Sequence, residues 1–142
     1  MRYLLDTDHI SILQRRTGVA FAQLTSRIGQ YEPESFVLSI ISFHEQVLGA
    51  HSVIVRAKSS NDILRGYTLL KEIQQGFAIA PVLSFDATSN IIFEELRSQN
   101  IRVATMDLRI AAIALSHDLI LLTRNVRDFG KIPGLVTEDW TV

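Results

Sequence analysis

"DLRIAAIALSHDLILLT", residues 107–123, decides the fold class. Residues 107–116 are an Ala-rich run of strong helix formers, with Thr105 placed to cap it. "LILLT" at 119–123 then reads as a strand buried on both faces, because it is short, apolar and does not alternate. The same kind of run recurs outward from here: "YLL" before Asp6, "FVLSII" at 36–41 and "FAIAPVLSF" at 77–85. Longer segments with helical spacing lie between them. Residues 42–52 open "SFHE", where Ser42 can N-cap and Glu45, three residues on, completes a capping box. Segment 61–75 carries Ile63, Leu64, Leu69, Leu70 and Ile73 near one stripe, interrupted by Gly66, and segment 86–98 starts with a capping Asp86. Strands alternating with helices predict an α/β fold around a mainly parallel sheet.

A chain of 142 residues fits a single domain, 1–142. Hydrophobic residues at 47% and charged ones at 20% exclude long disorder. No stretch approaches the roughly 20 uncharged apolar residues of a membrane helix, so no membrane partner is expected. "MRYLLD" meets an acid after only three apolar residues, which is not a signal-peptide pattern, and a cytoplasmic location is expected. Zero cysteines exclude disulfides, thiolate zinc sites and a cysteine nucleophile. With a net charge of −1, any affinity for nucleic acid must come from a local basic patch.

Ligand sites in parallel α/β sheets form beyond the carboxyl ends of the strands. Four acids are placed there: Asp6 follows "YLL", Glu45 lies in the helix opened by Ser42, Asp107 opens the Ala-rich helix, and Asp128 follows "LILLT". Singly, Glu45 and Asp107 can be explained by the helix dipole, worth about 0.3–1 kcal/mol, and Asp128 as a solvated turn acid. Asp6 has no helix entrance of its own to justify it on this reading. Jointly, converging carboxylates repel and raise each other's proton affinity, a cost that a divalent cation removes. Oxygen ligands without Cys favour Mg2+ or Mn2+, and such ions serve phosphodiester hydrolysis.

Other readings compete. Asp6-Thr7-Asp8 after a first strand also opens haloacid-dehalogenase-type phosphatases, with Asp6 as nucleophile and Asp8 as general acid, but this chain continues "HIS" rather than with a Gly-Thr pair. Otherwise Asp8 supports the pocket from behind or caps the helix "HISILQR". "HEQVL" at 44–48 fails as a zinc-protease motif because Leu48 stands where the second His must be. His9, His44, His51 and His117 share no spacing that builds one site, and each is expected to be structural or exposed.

"LLDTDHIS" (4–11), "SFHEQVLGA" (42–50), "RVATMDLRIAAIAL" (102–115) and "LLTRNVRDFGKIPGLVTEDW" (121–140) together resemble the PIN-domain ribonucleases of the VapC toxin type. The resemblance implies a PIN-like three-layer α/β fold, a central mainly parallel sheet flanked by helices, with an acidic pocket holding Mg2+ or Mn2+. It places the catalytic and metal-binding acids on Asp6, Glu45, Asp107 and Asp128, and the pocket's hydrogen-bonding support on Thr7, Thr123 and Asn125. The implied activity is RNA cleavage, with Arg124, Arg127 and Lys131 as candidate grips on the RNA backbone. It also implies a cognate antitoxin, whose amphipathic segment would occupy a groove, and a homodimer, for which the stripe at 63–73 is a candidate surface. A catalytically inactive, RNA-binding PIN-like module is the alternative. Two departures stand out: Asp8, where many relatives carry Asn, and His44 before the glutamate.

Overall fold

The computed structural model describes residues 1–142. Five strands form one sheet: β1 (Tyr3–Leu5), β2 (Phe36–Ser39), β3 (Val82–Leu83), β4 (Ile120–Leu122) and β5 (Thr137–Glu138). Their order is β3-β2-β1-β4-β5, and every neighbouring pair is parallel. Seven helices connect them: α1 (Thr7–Arg15), α2 (Val19–Ile28), α3 (Ile40–Val55), α4 (Ser60–Gly76), α5 (Ala87–Ser98), α6 (Thr105–Ser116) and α7 (Val126–Phe129). No helix is long and apolar enough to cross a membrane.

Alternation along the strands divides the core between the two faces of the sheet. Leu4, Val37 and Leu121 point to one face and pack with Phe93 and Leu96 of α5 and with α6. Tyr3, Leu5, Phe36, Leu38 and Leu122 point to the other, against Ile10 and Ile12 of α1, Leu24 of α2 and Ile73 of α4. Both faces are covered, which is why these strands read as unbroken apolar runs. Helix α6 is buried almost all round: Ile110, Ala111, Ala112, Ile113 and Ala114 have no exposed surface. Its alanines let the helix lie close to the sheet.

Several expected boundaries move. The helix expected from Ser42 begins at Ile40, and its N-cap is Ser39, whose side chain accepts from the Ser42 N–H. "FVLSII" therefore ends its strand at Ser39, because that cap turns Ile40 and Ile41 into the helix. Thr105 does not cap α6: Ala104 holds the N-cap position without a side-chain bond, and Thr105 is the first helical residue. Of "FAIAPVLSF" only Val82–Leu83 pairs as a strand, because α4 runs on to Gly76 and Phe77 closes it. Asp86 caps α5 through the Ser89 N–H, as the sequence predicts. The stripe at 63–73 divides, with Ile73 buried while Leu64 is 65% exposed.

Gly66 interrupts α4 for a packing reason. A Cβ there would overlap Ile54 Cγ1 of α3 and lie 3.4 Å from the Ile54 backbone nitrogen. Helix propensity alone makes Gly66→Ala stabilising by about 1 kcal/mol, whereas overpacking costs about 1–3 kcal/mol. The contact falls near the root of the Ile54 side chain, where it has least freedom to move, so overpacking should win. Thermal unfolding of Gly66→Ala is expected to show a melting temperature lower by about 3–8 °C; a rise would mean that α3 and α4 are not this close.

Candidate active site

Strand order reverses at β1, which has β2 on one side and β4 on the other. A crevice opens at such a point beyond the carboxyl ends of the strands. Asp6 stands there, immediately after Leu5, and is only 6% exposed. Its backbone N–H donates to the Leu122 carbonyl and so continues the β1–β4 ladder by one residue. Contrary to the sequence expectation, Asp6 has a helix entrance of its own, for it is the N-cap of α1. Its Oδ1 accepts from the Thr7 N–H at 2.8 Å and its Oδ2 from the Thr123 hydroxyl at 2.8 Å. Capping alone does not require the Thr123 bond, which joins residues 117 positions apart.

Thr123, fully buried, is the first residue beyond β4. Its hydroxyl also accepts from the Asn125 N–H at 3.0 Å, which leaves its hydrogen for the acid. On the β2 side, Glu45 is the sixth residue of α3 rather than the third of a helix capped by Ser42. It lies beyond the first turn, so neither a capping box nor the dipole accounts for it. The Thr7 hydroxyl donates to Glu45 Oε1 at 2.8 Å and lies 2.9 Å from the Ser42 hydroxyl. Ser42, expected as a cap, is instead a buried part of the pocket wall.

Asp107 is the third residue of α6, half-buried. Burial, and then the negative charges of Glu45, Asp128 and Asp8, push its carboxyl up to about 6. Asp6 is pushed up to about 7 by burial and by the charge of Asp8, with a smaller contribution from Asp107, against the lowering bonds from Thr123 and Thr7. These acids from four separate elements therefore act on one another electrostatically. Asp128 differs: it sits at the rim, where Asn125 Nδ2 at 3.2 Å and Lys131 Nζ at 3.2 Å hold its carboxyl below the usual range. Lys131 also donates to the Arg102 carbonyl, so this candidate RNA contact is tied down, while Arg124 and Arg127 are exposed.

Asp8 is not the cap of α1. Its carboxylate faces His9, Thr123 and the Arg124 N–H. Among the histidines, His9 is fully buried, and His44, His51 and His117 are exposed and scattered. The Asp8–His9 pairing was not read from the sequence; the signal for it is an acid directly before a histidine in the first turn of a helix.

As the side chains stand, no three of these carboxylates converge on one coordination point. The donor set is nonetheless all oxygen, and burial and mutual repulsion raise the proton affinity of Asp6 and Asp107, both of which suit a hard divalent ion. Such an ion needs only one or two carboxylates when water completes its shell.

No protein-family model matches the chain. Ribonuclease VapC1 of Rickettsia felis is 30% identical over 136 residues, spanning 95% of this chain and 93% of that protein. A tRNA(fMet)-specific endonuclease VapC of Shigella flexneri is 41% identical over 64 residues, 42% of this chain and 48% of that protein. Among solved structures, VapBC-1 from nontypeable Haemophilus influenzae superposes with a TM-score of 0.78 at 26% identity, covering 100% of both chains. Full-length likeness to a named ribonuclease, with the same parallel architecture, identifies this chain as a member of the VapC family of ribonucleases.

Proposed function

We propose that this chain is a Mg2+- or Mn2+-dependent endoribonuclease with Asp6, Glu45, Asp107 and Asp128 at its active site, and the toxin of a toxin–antitoxin pair acting in the cytoplasm. The observation that carries the reading is that Asp6, buried, and Asp107, half-buried, are brought to one sheet edge from positions 101 residues apart, where burial and neighbouring carboxylates push both carboxyls up. Asp6 and Asp107 would hold the ion, with Glu45 and Asp128 reaching it directly or through water. When bound, the ion supplies Lewis-acid stabilisation of the phosphoryl charge and lowers the proton affinity of water.

The protein's own groups set the rest of the geometry. Thr123 and the Thr7 N–H each hold one Asp6 oxygen, and the Thr7 hydroxyl aims Glu45. Asn125 and Lys131 hold Asp128 at the rim. Arg124 and Arg127, exposed beside it, are placed to meet the phosphates flanking the cut. Water attacks the phosphorus, the bond to the 3′ oxygen breaks, and that oxygen takes a proton. The products are a 5′-phosphate and a 3′-hydroxyl.

The antitoxin half of the proposal is supported by an apolar groove of about 570 Å3, lined by Leu5, Leu13, Ile28, Tyr31, Phe36 and Leu38 among others. This is a fitting bed for an amphipathic segment. Leu64 and Tyr67, exposed on α4, suit a homodimer contact, for which light scattering should give twice the chain mass. A phosphatase reading finds less support, because both oxygens of Asp8 already face donors and neither is offered to a leaving group. The intact acid set speaks against an inactive RNA-binding module.

Likeness to a tRNA(fMet)-specific endonuclease makes transfer RNA the first substrate to test. With Mg2+ or Mn2+ the wild-type protein should cut it, and Asp6→Asn or Asp107→Asn should cut at least about 100-fold more slowly, at or beyond the loss seen when a metal site's outer partners are removed. Undiminished cutting by either variant, or in excess chelator, would refute the assignment.

The raised carboxyls also fix a pH dependence. Between the ordinary carboxylate value of 3.8 and about 7, folded Asp6 binds more protons than unfolded Asp6, so metal-free stability falls as pH rises through that window. Asp107 adds to the fall up to about 6. Metal-free protein should melt at a higher temperature at pH 5 than at pH 7.5, and Asp6→Asn should flatten that difference. A metal-free protein that is more stable at pH 7.5 would contradict the electrostatics.

A further inference from the structure

We propose that Asp8 and His9 act together as positioning residues for the nuclease site, clamping the Thr123–Arg124 turn to the C-terminal segment. The inference rests on the nuclease reading above. Asp8 Oδ1 lies 2.7 Å from His9 Nδ1. Its Oδ2 accepts from the Arg124 N–H at 3.0 Å and lies 3.3 Å from the Thr123 hydroxyl. On the far side of the ring, His9 Nε2 accepts from the Trp140 N–H at 3.2 Å.

That last bond fixes the hydrogen positions. A backbone N–H can only donate, so Nε2 is the bare nitrogen and Nδ1 carries the hydrogen aimed at Asp8. Asp8 must therefore offer an acceptor on both of its faces, one to His9 and one to the Arg124 turn, and only a carboxylate does so. An amide at this position offers one acceptor and one donor. Turned toward Arg124 it would set N–H against N–H at the ring; turned toward His9 it would release the turn.

The anchor at the far end is rigid. Trp140 has no exposed surface, and its ring packs 4.7 Å from Tyr3 and 5.2 Å from Tyr31. His9 is likewise fully buried, so its ring has no alternative solvent partner. The chain Trp140–His9–Asp8–Arg124 thus fastens the turn that carries Thr123, whose hydroxyl holds Asp6 Oδ2. Asp8 is 31% exposed, so replacing it need not unfold the protein. Its role is to keep Thr123 on Asp6.

The test compares wild type, Asp8→Asn and Asp6→Asn on the same RNA with Mn2+, well below the melting temperature. Asp8→Asn should lower kcat about 10- to 100-fold, the range for outer-sphere partners of a metal site. KM should stay within about twofold, since substrate binding is not what the clamp serves. Independently of activity, amide exchange at Arg124 should be slow in wild type and fast in Asp8→Asn. In wild type the His9 ring 15N shifts should report the Nδ1–H tautomer, a measurement that stands even if the variant folds poorly. Wild-type kcat in Asp8→Asn alongside an inactive Asp6→Asn would overturn the clamp alone, as would an Nε2–H tautomer. If Asp6→Asn cuts as well as wild type, the nuclease reading fails first and the clamp's function goes with it.

Discussion

Burial of one carboxylate, Asp6, at the point where the sheet changes direction is the constraint on which the rest of the structure turns. A charge there is costly unless something compensates it. Two donors do so in part: the Thr7 N–H, at the start of α1, and the Thr123 hydroxyl, which parallel pairing of β1 with β4 brings alongside. The compensation is incomplete, because Asp8 and Asp107 add negative charge nearby and the Asp6 carboxyl remains well above its ordinary range. A site built this way is left with an unsatisfied demand for positive charge. That demand is the physical link between the fold and the metal-assisted hydrolysis we propose.

The flanking elements serve the same edge. The alanines of α6 bring it close to the sheet, which carries Asp107 over the strand ends. Ser39 starts α3 early enough for Glu45 to fall in the second turn, facing Thr7. Asn125 caps the short α7 and positions Asp128 at the rim. The entrances of α1, α3 and α7 thus follow strand ends directly or within a few residues, while α6 comes to the same edge from α5.

Much of this was legible in the chain itself. Strands buried on both faces leave apolar runs, so "YLL" and "LILLT" announced their places, and Asp6 directly after the first with Asp128 shortly after the second pointed to the edge of the proposed site. Caps were less legible, because Ser39 and Ser42 are equally good capping residues and tertiary packing of Ile41 in the core decides between them. The two-residue β3 and β5 carry no pattern of their own; they exist because β2 and β4 offer edges to pair with. Gly66 read as a weakness in a helix and is a close contact with Ile54. The Asp8–His9–Trp140 connection was invisible, since it spans 131 positions between His9 and Trp140 and depends on which ring nitrogen carries a hydrogen.

The central claim is that Asp6 and Asp107 serve a single cation. Carboxyl 13C resonances of the two residues, followed while Mg2+ is added to the RNA-free protein, test it most directly. The account predicts that both signals move together along one binding curve and that the proton affinity of both falls as the ion binds. Signals that respond at separate concentrations, or a pair that ignores the ion while remaining protonated near neutral pH, would contradict it.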